Sequence, residues 1–119
     1  MTVFQDGLGK MRHAQLTACS FSEIESALWQ ATKEEHDSFV FLFHNFELLN
    51  PSHTDPDPVC RKRFIQLLEF LDRNRSHFTT RSFQNAEITP SFSSTEPLKT
   101  SFWHTSQRYL EQLYRRRYQ

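Results

Sequence analysis

Glycine is scarce in this sequence, since only Gly7 and Gly9 occur among its 119 residues. All-β proteins use glycine at many of their turns, and phosphate-binding loops use it where the backbone approaches the ligand. The absence of glycine from Lys10 onward therefore argues against an all-β fold and against Walker and Rossmann loops. Helices joined by polar loops fit this composition better.

The chain also lacks an excess of charge of either sign, because 14 basic residues balance 14 acidic residues. A dedicated nucleic-acid-binding protein usually carries a surplus of lysine and arginine. The balance argues against that class of protein but leaves room for a local basic patch.

Cysteine and long apolar runs are scarce as well. Cys19 and Cys60 lie far apart without the spacing of a C-x-x-C pair, so we interpret both as reduced, small apolar residues. The first thirty residues show no secretory signal. The longest apolar run, Phe39 to Phe43, is far shorter than a membrane span. We therefore predict a cytoplasmic protein with no membrane partner.

The first strong helix signal begins at Cys19. Ser20 and Glu23 have the spacing of a capping box, and Cys19 and Ile24 have that of a hydrophobic staple. From Ser20 to Asn50, apolar residues recur every three or four positions without glycine or proline. One long helix or two helices satisfy this pattern, and we favour a break near Thr32–Ser38. A strand from Ser38 to Phe43 is the competing interpretation, because aromatic residues cluster there.

A second helix is predicted to begin after Asp57, with Asp57 as N-cap and Pro58 at the first helical position, and to end near Arg75. Its apolar stripe comprises Cys60, Phe64, Leu67, Leu68 and Leu71.

The last third of the chain contains one ambiguous segment and one helix. Residues 78–89 fit either a short β-hairpin or an extended loop. A terminal helix is predicted to begin near Ser94–Pro97, with an apolar stripe of Phe102, Tyr109, Leu110 and Leu113 that is widened by Trp103 and Tyr114. Together these patterns predict an all-α, single-domain bundle of about four helices over residues 20–119, with residues 1–19 as an arm or a short helix.

Catalytic and metal-binding patterns are weak. His44 and Glu47 are the clearest pair at helical spacing, but bundle metal sites use the order Glu-x-x-His and use it twice. Cys60 begins a helix beside basic residues, which lowers a thiol pKa, yet it lies on the apolar stripe. No nucleophile elbow is present. We expect no enzyme activity, no metal and no cofactor.

Two resemblances to known families concern nucleic acids. The segment from Arg73 to His77 resembles the Arg-polar-x-x-x-His motif of HEPN ribonucleases, with one residue fewer between the two side chains. The order of a helix, a hairpin and a long terminal helix resembles winged helix-turn-helix proteins with a terminal dimerisation helix. The first resemblance implies an RNA-cleaving role for Arg73 and His77, and the second implies DNA binding.

Aromatic residues and arginines alternate in the terminal helix, a mixture enriched at protein–protein interfaces. The leading hypothesis is a small non-enzymatic interaction protein, an adaptor, inhibitor or regulator that binds a protein partner or a second copy of itself. The predicted partner-binding residues are Phe102, Trp103, Arg108, Tyr109, Tyr114, Arg115 and Arg116.

The alternative hypothesis is a transcriptional regulator with a helical or winged-helix-like surface for nucleic acid. Its predicted binding residues are Arg61, Lys62, Arg63, Arg73, Arg75 and Arg117.

Overall fold

The computed structural model describes residues 1–85 and 96–117, which form three α-helices packed with a small mixed sheet. The sheet has the strand order β2-β1-β3, with β1 antiparallel to β2 and parallel to β3. The elements in chain order are β1 (Val3–Gln5), β2 (Met11–His13), α1 (Phe21–Lys33), α2 (Pro58–Arg73), β3 (Leu98–Lys99) and α3 (Phe102–Arg117), with short 3-10 turns at Asn45–Leu48 and Phe83–Asn85.

The predicted all-α fold is wrong, because the segment expected to be an arm or a short helix forms the β1–β2 hairpin. Asp6 shapes its turn, since one carboxylate oxygen accepts hydrogen bonds from the amides of Leu8 and Lys10. Gly9 has a φ of 80°, a backbone conformation that glycine adopts without steric cost. Two glycines are enough for one hairpin, so their scarcity excluded a large sheet but not a small one.

The start of α1 confirms the predicted capping box. The Ser20 hydroxyl accepts from the Glu23 amide at 3.3 Å, and the Glu23 carboxylate accepts from the Ser20 amide at 2.9 Å. The helix ends at Lys33, and Glu35 has a φ of 56°, so the predicted break near Thr32–Ser38 is also confirmed.

The helix predicted after that break is absent, which is a further reason why the count of four is wrong. No helix occupies Ser38–His44, and only a 3-10 turn follows at Asn45–Leu48. The segment is extended: the Val40 amide donates to Thr2 Oγ1 at 2.7 Å, and the Thr2 amide donates to the Val40 carbonyl. Phe39, Phe41 and Phe43 pack against the core at every second position, while Leu42 is exposed. The spacing of two therefore describes this segment better than helical spacing.

Helix α2 begins as predicted, with Asp57 accepting hydrogen bonds from the amides of Val59 and Cys60. It ends at Arg73, close to the predicted limit. Its buried face is rotated from the predicted stripe, because Leu68 is half exposed while Arg63 and Phe70 are buried.

The core lies between α1, α2 and the sheet. Its fully or nearly fully buried side chains include Phe4, Leu16, Cys19, Ile24, Ala27, Leu28, Leu67, Phe70 and Leu98.

The β-hairpin considered for residues 78–89 is only partly within the described residues. A 3-10 turn at Phe83–Asn85 stands where the first hairpin strand would end, and residues 86–89 lie outside the described part of the chain. The terminal helix begins at Phe102, later than predicted, because Leu98 and Lys99 pair with β1 as the parallel strand β3.

Candidate functional site: the outward face of the terminal helix

Helix α3 contacts the rest of the molecule through its polar side. Its fully buried side chains are Thr105 and Arg108, neither of which is apolar. A surface helix normally buries an apolar stripe and leaves its polar side in water. Helix α3 has the opposite arrangement: its polar side is buried and its apolar side faces solvent. The ion pairs of its buried charged side chains explain how α3 is attached to the rest of the molecule.

Arg108 forms ion pairs with two carboxylates that are completely buried. One of its terminal nitrogens lies 2.9 Å from Asp6 Oδ2, and the other lies 3.1 Å from Glu23 Oε1. The first carboxylate belongs to the β1–β2 turn and the second to the first turn of α1. A single arginine of α3 is therefore paired with both elements.

Thr105 lies one helical turn before Arg108 and completes the same network. Its hydroxyl donates to Glu23 Oε1 at 2.8 Å and accepts from the Gly7 amide at 2.9 Å. The Ser20 hydroxyl that caps α1 also donates to the carbonyl of His104 at 3.1 Å. The capping box of α1 is thus also part of the surface on which α3 docks.

The ionisation of Asp6 depends on this network. Burial opposes the charged form, but hydrogen bonds from Arg108, Arg12 and the turn amides outweigh burial and lower the Asp6 pKa to about 2. Burial acts against the charge of Arg108 too, yet its bond to Asp6 and the nearby Glu23 raise the Arg108 pKa above its usual value. The charged forms of both groups are therefore favoured in the folded protein.

Two further ion pairs attach the second half of α3 to α2. Arg63 contacts Glu111, with 2.7 Å between Nη2 and Oε2, and donates to the carbonyl of Leu16 at 2.6 Å. Arg115 pairs with Asp57, the N-cap of α2. Charged contacts therefore hold α3 along most of its length.

The opposite side of α3 is apolar and faces solvent. At 100° per residue, six large side chains fall within about 140° of the helix circumference. They define what we call the α3 face: Phe102, Trp103, Tyr109, Leu110, Leu113 and Tyr114, with exposed fractions of 55%, 80%, 38%, 68%, 62% and 52%.

The area of the α3 face is large for a protein of this size. At about 200 Å² for a whole aromatic side chain, its four rings alone expose roughly 450 Å². With Leu110 and Leu113 the face exceeds the 300–600 Å² that is typical of the largest apolar patch on a monomer. Such a patch marks an interaction surface more often than a solvated one.

The predicted partner-binding residues are divided between the two sides of α3. Phe102, Trp103, Tyr109 and Tyr114 lie on the α3 face, and Arg116 is exposed beyond it. Arg115 is partly buried against Asp57. Arg108 lies beneath the surface, with its guanidinium 5.1 Å from the ring centre of Tyr109.

Leu110 and Leu113 lie on the α3 face but are not among the predicted partner-binding residues, although the predicted apolar stripe includes both. Their helical spacing alone could not reveal which way they face. The available signal was the spacing of Thr105, Arg108 and Arg115, which share the other side of α3 and contact the buried carboxylates of Glu23, Asp6 and Asp57.

The residues predicted to bind nucleic acid lie in three different environments. Arg61 and Lys62 are exposed near the start of α2, and the Arg115–Asp57 ion pair brings the last turn of α3, with Arg117, to the same end. Arg63 is buried. Arg73 and Arg75 lie at the opposite end of α2, where Arg75 pairs with Asp72.

The residues considered for catalysis or metal binding have structural contacts. Burial raises the pKa of Cys19 to about 11 and also raises the pKa of Cys60, and both thiols are fully buried. Within residues 1–85 and 96–117, no three histidine, cysteine or acidic side chains are grouped as metal ligands. The His77 ring packs edge-on against Trp29, with 5.3 Å between centroids.

A shallow depression of about 400 Å³ lies beside the sheet, lined in part by Thr2, Met11, His36 and Glu96. Its titratable groups have partners elsewhere, since His36 contacts Glu34 and Glu96 contacts Lys99. Both titratable side chains among the described lining residues therefore already have polar partners.

Comparison of the chain with protein-family models, curated proteins and solved structures found no match. None of the helices in the described ranges is long and apolar enough to cross a membrane.

Proposed function

We propose that this protein is a small non-enzymatic interaction protein that docks to protein through the α3 face. The observation that carries the proposal is the inverted orientation of α3, which buries Thr105 and Arg108 and exposes Trp103, Leu110 and Leu113. Burying an ion pair removes charged groups from water, which is unfavourable, so packing α3 in this orientation carries a desolvation penalty. Burial of the α3 face against a partner would offset that penalty.

The composition of the α3 face supports a protein partner. Tyrosine, tryptophan and phenylalanine are enriched at the centres of protein interfaces, and tryptophan and tyrosine supply many of the residues that dominate binding energy. Trp103 is the most exposed large apolar side chain in the described part of the chain. Arg116 and Arg117 lie beyond the last apolar turn, where they would form a polar rim.

A photo-crosslinking amino acid at position 110 tests this proposal in cells that express the protein. We expect a discrete protein adduct on irradiation, because Leu110 lies near the middle of the exposed α3 face. The matched control places the same photo-crosslinker at position 68, where Leu68 is 50% exposed on α2. Adducts at neither position, or equal labelling at both, would contradict a specific docking surface on α3.

The nucleic-acid hypothesis stays a prediction. The contact of Arg115 with Asp57 favours it in one respect, since Arg61, Lys62 and Arg117 then lie at the same end of the molecule. Any binding of nucleic acid through these residues should weaken steeply as the salt concentration is raised. The reason is that binding releases counterions from the phosphates, and added salt opposes this release.

A further inference from the structure

We infer that the occupant of the α3 face is a second copy of this chain, with the two α3 helices packed antiparallel about a two-fold axis near position 108. This inference rests on the proposed function, because it names the partner of the same surface. Three properties of the α3 face support it: its symmetry, its charge distribution and its area.

The apolar positions of α3 are nearly symmetric about the middle of the helix. A two-fold axis beside position 108 places Phe102 opposite Tyr114 of the second copy, and Trp103 opposite Leu113. An interface with two-fold symmetry must be self-complementary, since every contact between two different positions occurs twice, once from each copy. The same axis places Leu110 opposite the small side chain of Ser106, which leaves room for close packing.

The spacing along the α3 face also suits helix pairing. Trp103, Ser106, Leu110 and Leu113 follow one another at intervals of three, four and three residues. This is the spacing of the positions at which two helices of a coiled coil meet. Helix α3 therefore presents a packing seam and not only a scattered set of apolar residues.

The charges of α3 select the antiparallel orientation. Arg115, Arg116 and Arg117 occupy its last turn, so a parallel pair would bring two such clusters together. In the antiparallel pair, the two copies of Arg116 are about 24 Å apart along the helix axis, at 1.5 Å per residue. This distance exceeds the Debye length of about 8–10 Å at physiological salt, so the repulsion is screened.

The area of the α3 face agrees with the requirement of a stable dimer. Standard interfaces bury about 800 Å² on each partner. The six side chains of the face approach that value, and the neighbouring Ser106 and Gln107 add to it.

Sedimentation equilibrium of the purified protein tests whether the dimer exists. We expect the mass of a dimer at about 100 µM, since interfaces of this size bind at micromolar concentration or tighter. Replacing Leu110 with glutamate should raise the dimer dissociation constant about 100-fold or more, because both copies lose a central contact and gain a charge. The matched variant Leu68→Glu changes a leucine that is 50% exposed on α2, outside the α3 face, and should leave the constant unchanged.

The orientation is tested by a spin label on Arg116→Cys, since Cys19 and Cys60 are buried and resist labelling. The antiparallel pair predicts a distance of about 25 Å between the two labels. A distance near 10 Å, the spacing of adjacent helix axes, would instead show a parallel pair and overturn the inferred orientation.

Other outcomes separate this inference from the proposed function. A monomer at about 200 µM that still gives an adduct with a different protein at position 110 overturns the second copy and leaves the docking surface in place. A monomer that instead binds phosphatidylcholine–phosphatidylserine vesicles in a Leu110-dependent manner assigns the α3 face to lipid. A monomer without adducts or vesicle binding contradicts both the inference and the proposed function.

Discussion

Replacing Arg108 with methionine should lower the free energy of unfolding by about 3–5 kcal/mol, the usual cost of removing one partner from a buried ion pair. Methionine fills much of the space of the arginine stem but carries no charge. Glu23 then keeps the Thr105 hydroxyl but has lost its cation, while Asp6 retains Arg12 and the amides of its turn. The expected loss therefore arises mainly from the carboxylates left behind and less from any gap in packing.

Urea unfolding at neutral pH measures this loss, and the same helix offers a matched control. Arg116 is exposed on α3, so Arg116→Met makes the same chemical change outside the core. Its effect should stay within about 0.5 kcal/mol, as for most surface substitutions. Comparable losses in the two variants would mean that Arg108 is not buried between Asp6 and Glu23. Both proteins should be compared at one concentration, because dimerisation would add to stability.

Replacing Gly7 with alanine should also lower the free energy of unfolding strongly, by about 3 kcal/mol. Overfilling a packed site costs roughly 1–3 kcal/mol and occasionally more. A Cβ atom at this position would lie 2.3 Å from the Cα and 2.4 Å from the amide nitrogen of Phe102. These are backbone atoms, so the clash can be relieved only if the start of α3 moves away from the β1–β2 turn. That movement would also strain the bond from the Gly7 amide to Thr105.

Leu8→Ala is the control for this second prediction, because Leu8 lies in the same turn and is 48% exposed. We expect it to unfold at nearly the urea concentration of the unmodified protein. A Gly7→Ala variant as stable as Leu8→Ala would show that the turn and the start of α3 are not in close contact.

The parts of the fold that the sequence predicted correctly rest on local signals. The capping box of Ser20 and Glu23 and the N-cap formed by Asp57 before Pro58 each lie within a few residues, and local chemistry decides them. The break after Lys33 belongs to the same group, because the apolar spacing weakens there.

The segment from Ser38 to His44 could not be assigned from spacing alone. Its run of five apolar residues contains both a period of two and a helical period, so tertiary contacts decide between them. The hydrogen bonds between Thr2 and Val40 and the stacking of Phe43 on Phe64 favour the extended conformation. None of these partners is close to the segment in sequence.

The orientation of α3 was also beyond local reasoning. An apolar stripe predicts which residues share one side of a helix, but it does not predict whether that side is covered by the same chain. The deciding residues are Asp6 and Glu23, which are distant from Arg108 in sequence and meet it only in the folded protein. The predicted partner-binding residues therefore include the four aromatic residues of the α3 face, but they also include Arg108, which is buried.

The carboxyl group of Asp6 gives the most direct test of the central claim, that α3 docks through its polar side and leaves its apolar side outward. Its folded-state pKa of about 2 lies below the ordinary value of 3.8, so ionisation of Asp6 stabilises the protein above pH 3.8. This contribution is lost as the pH falls from about 4 through about 2.

Carbon-13 NMR of a sample labelled at the aspartate carboxyl carbons follows this titration directly. We predict a midpoint for Asp6 near pH 2 in the unmodified protein and a higher midpoint in Arg108→Met, because the strongest of its stabilising hydrogen bonds is then lost. A midpoint near pH 3.8 that does not change when Arg108 is replaced would contradict the inward orientation of Arg108, and with it the outward orientation of Trp103, Leu110 and Leu113.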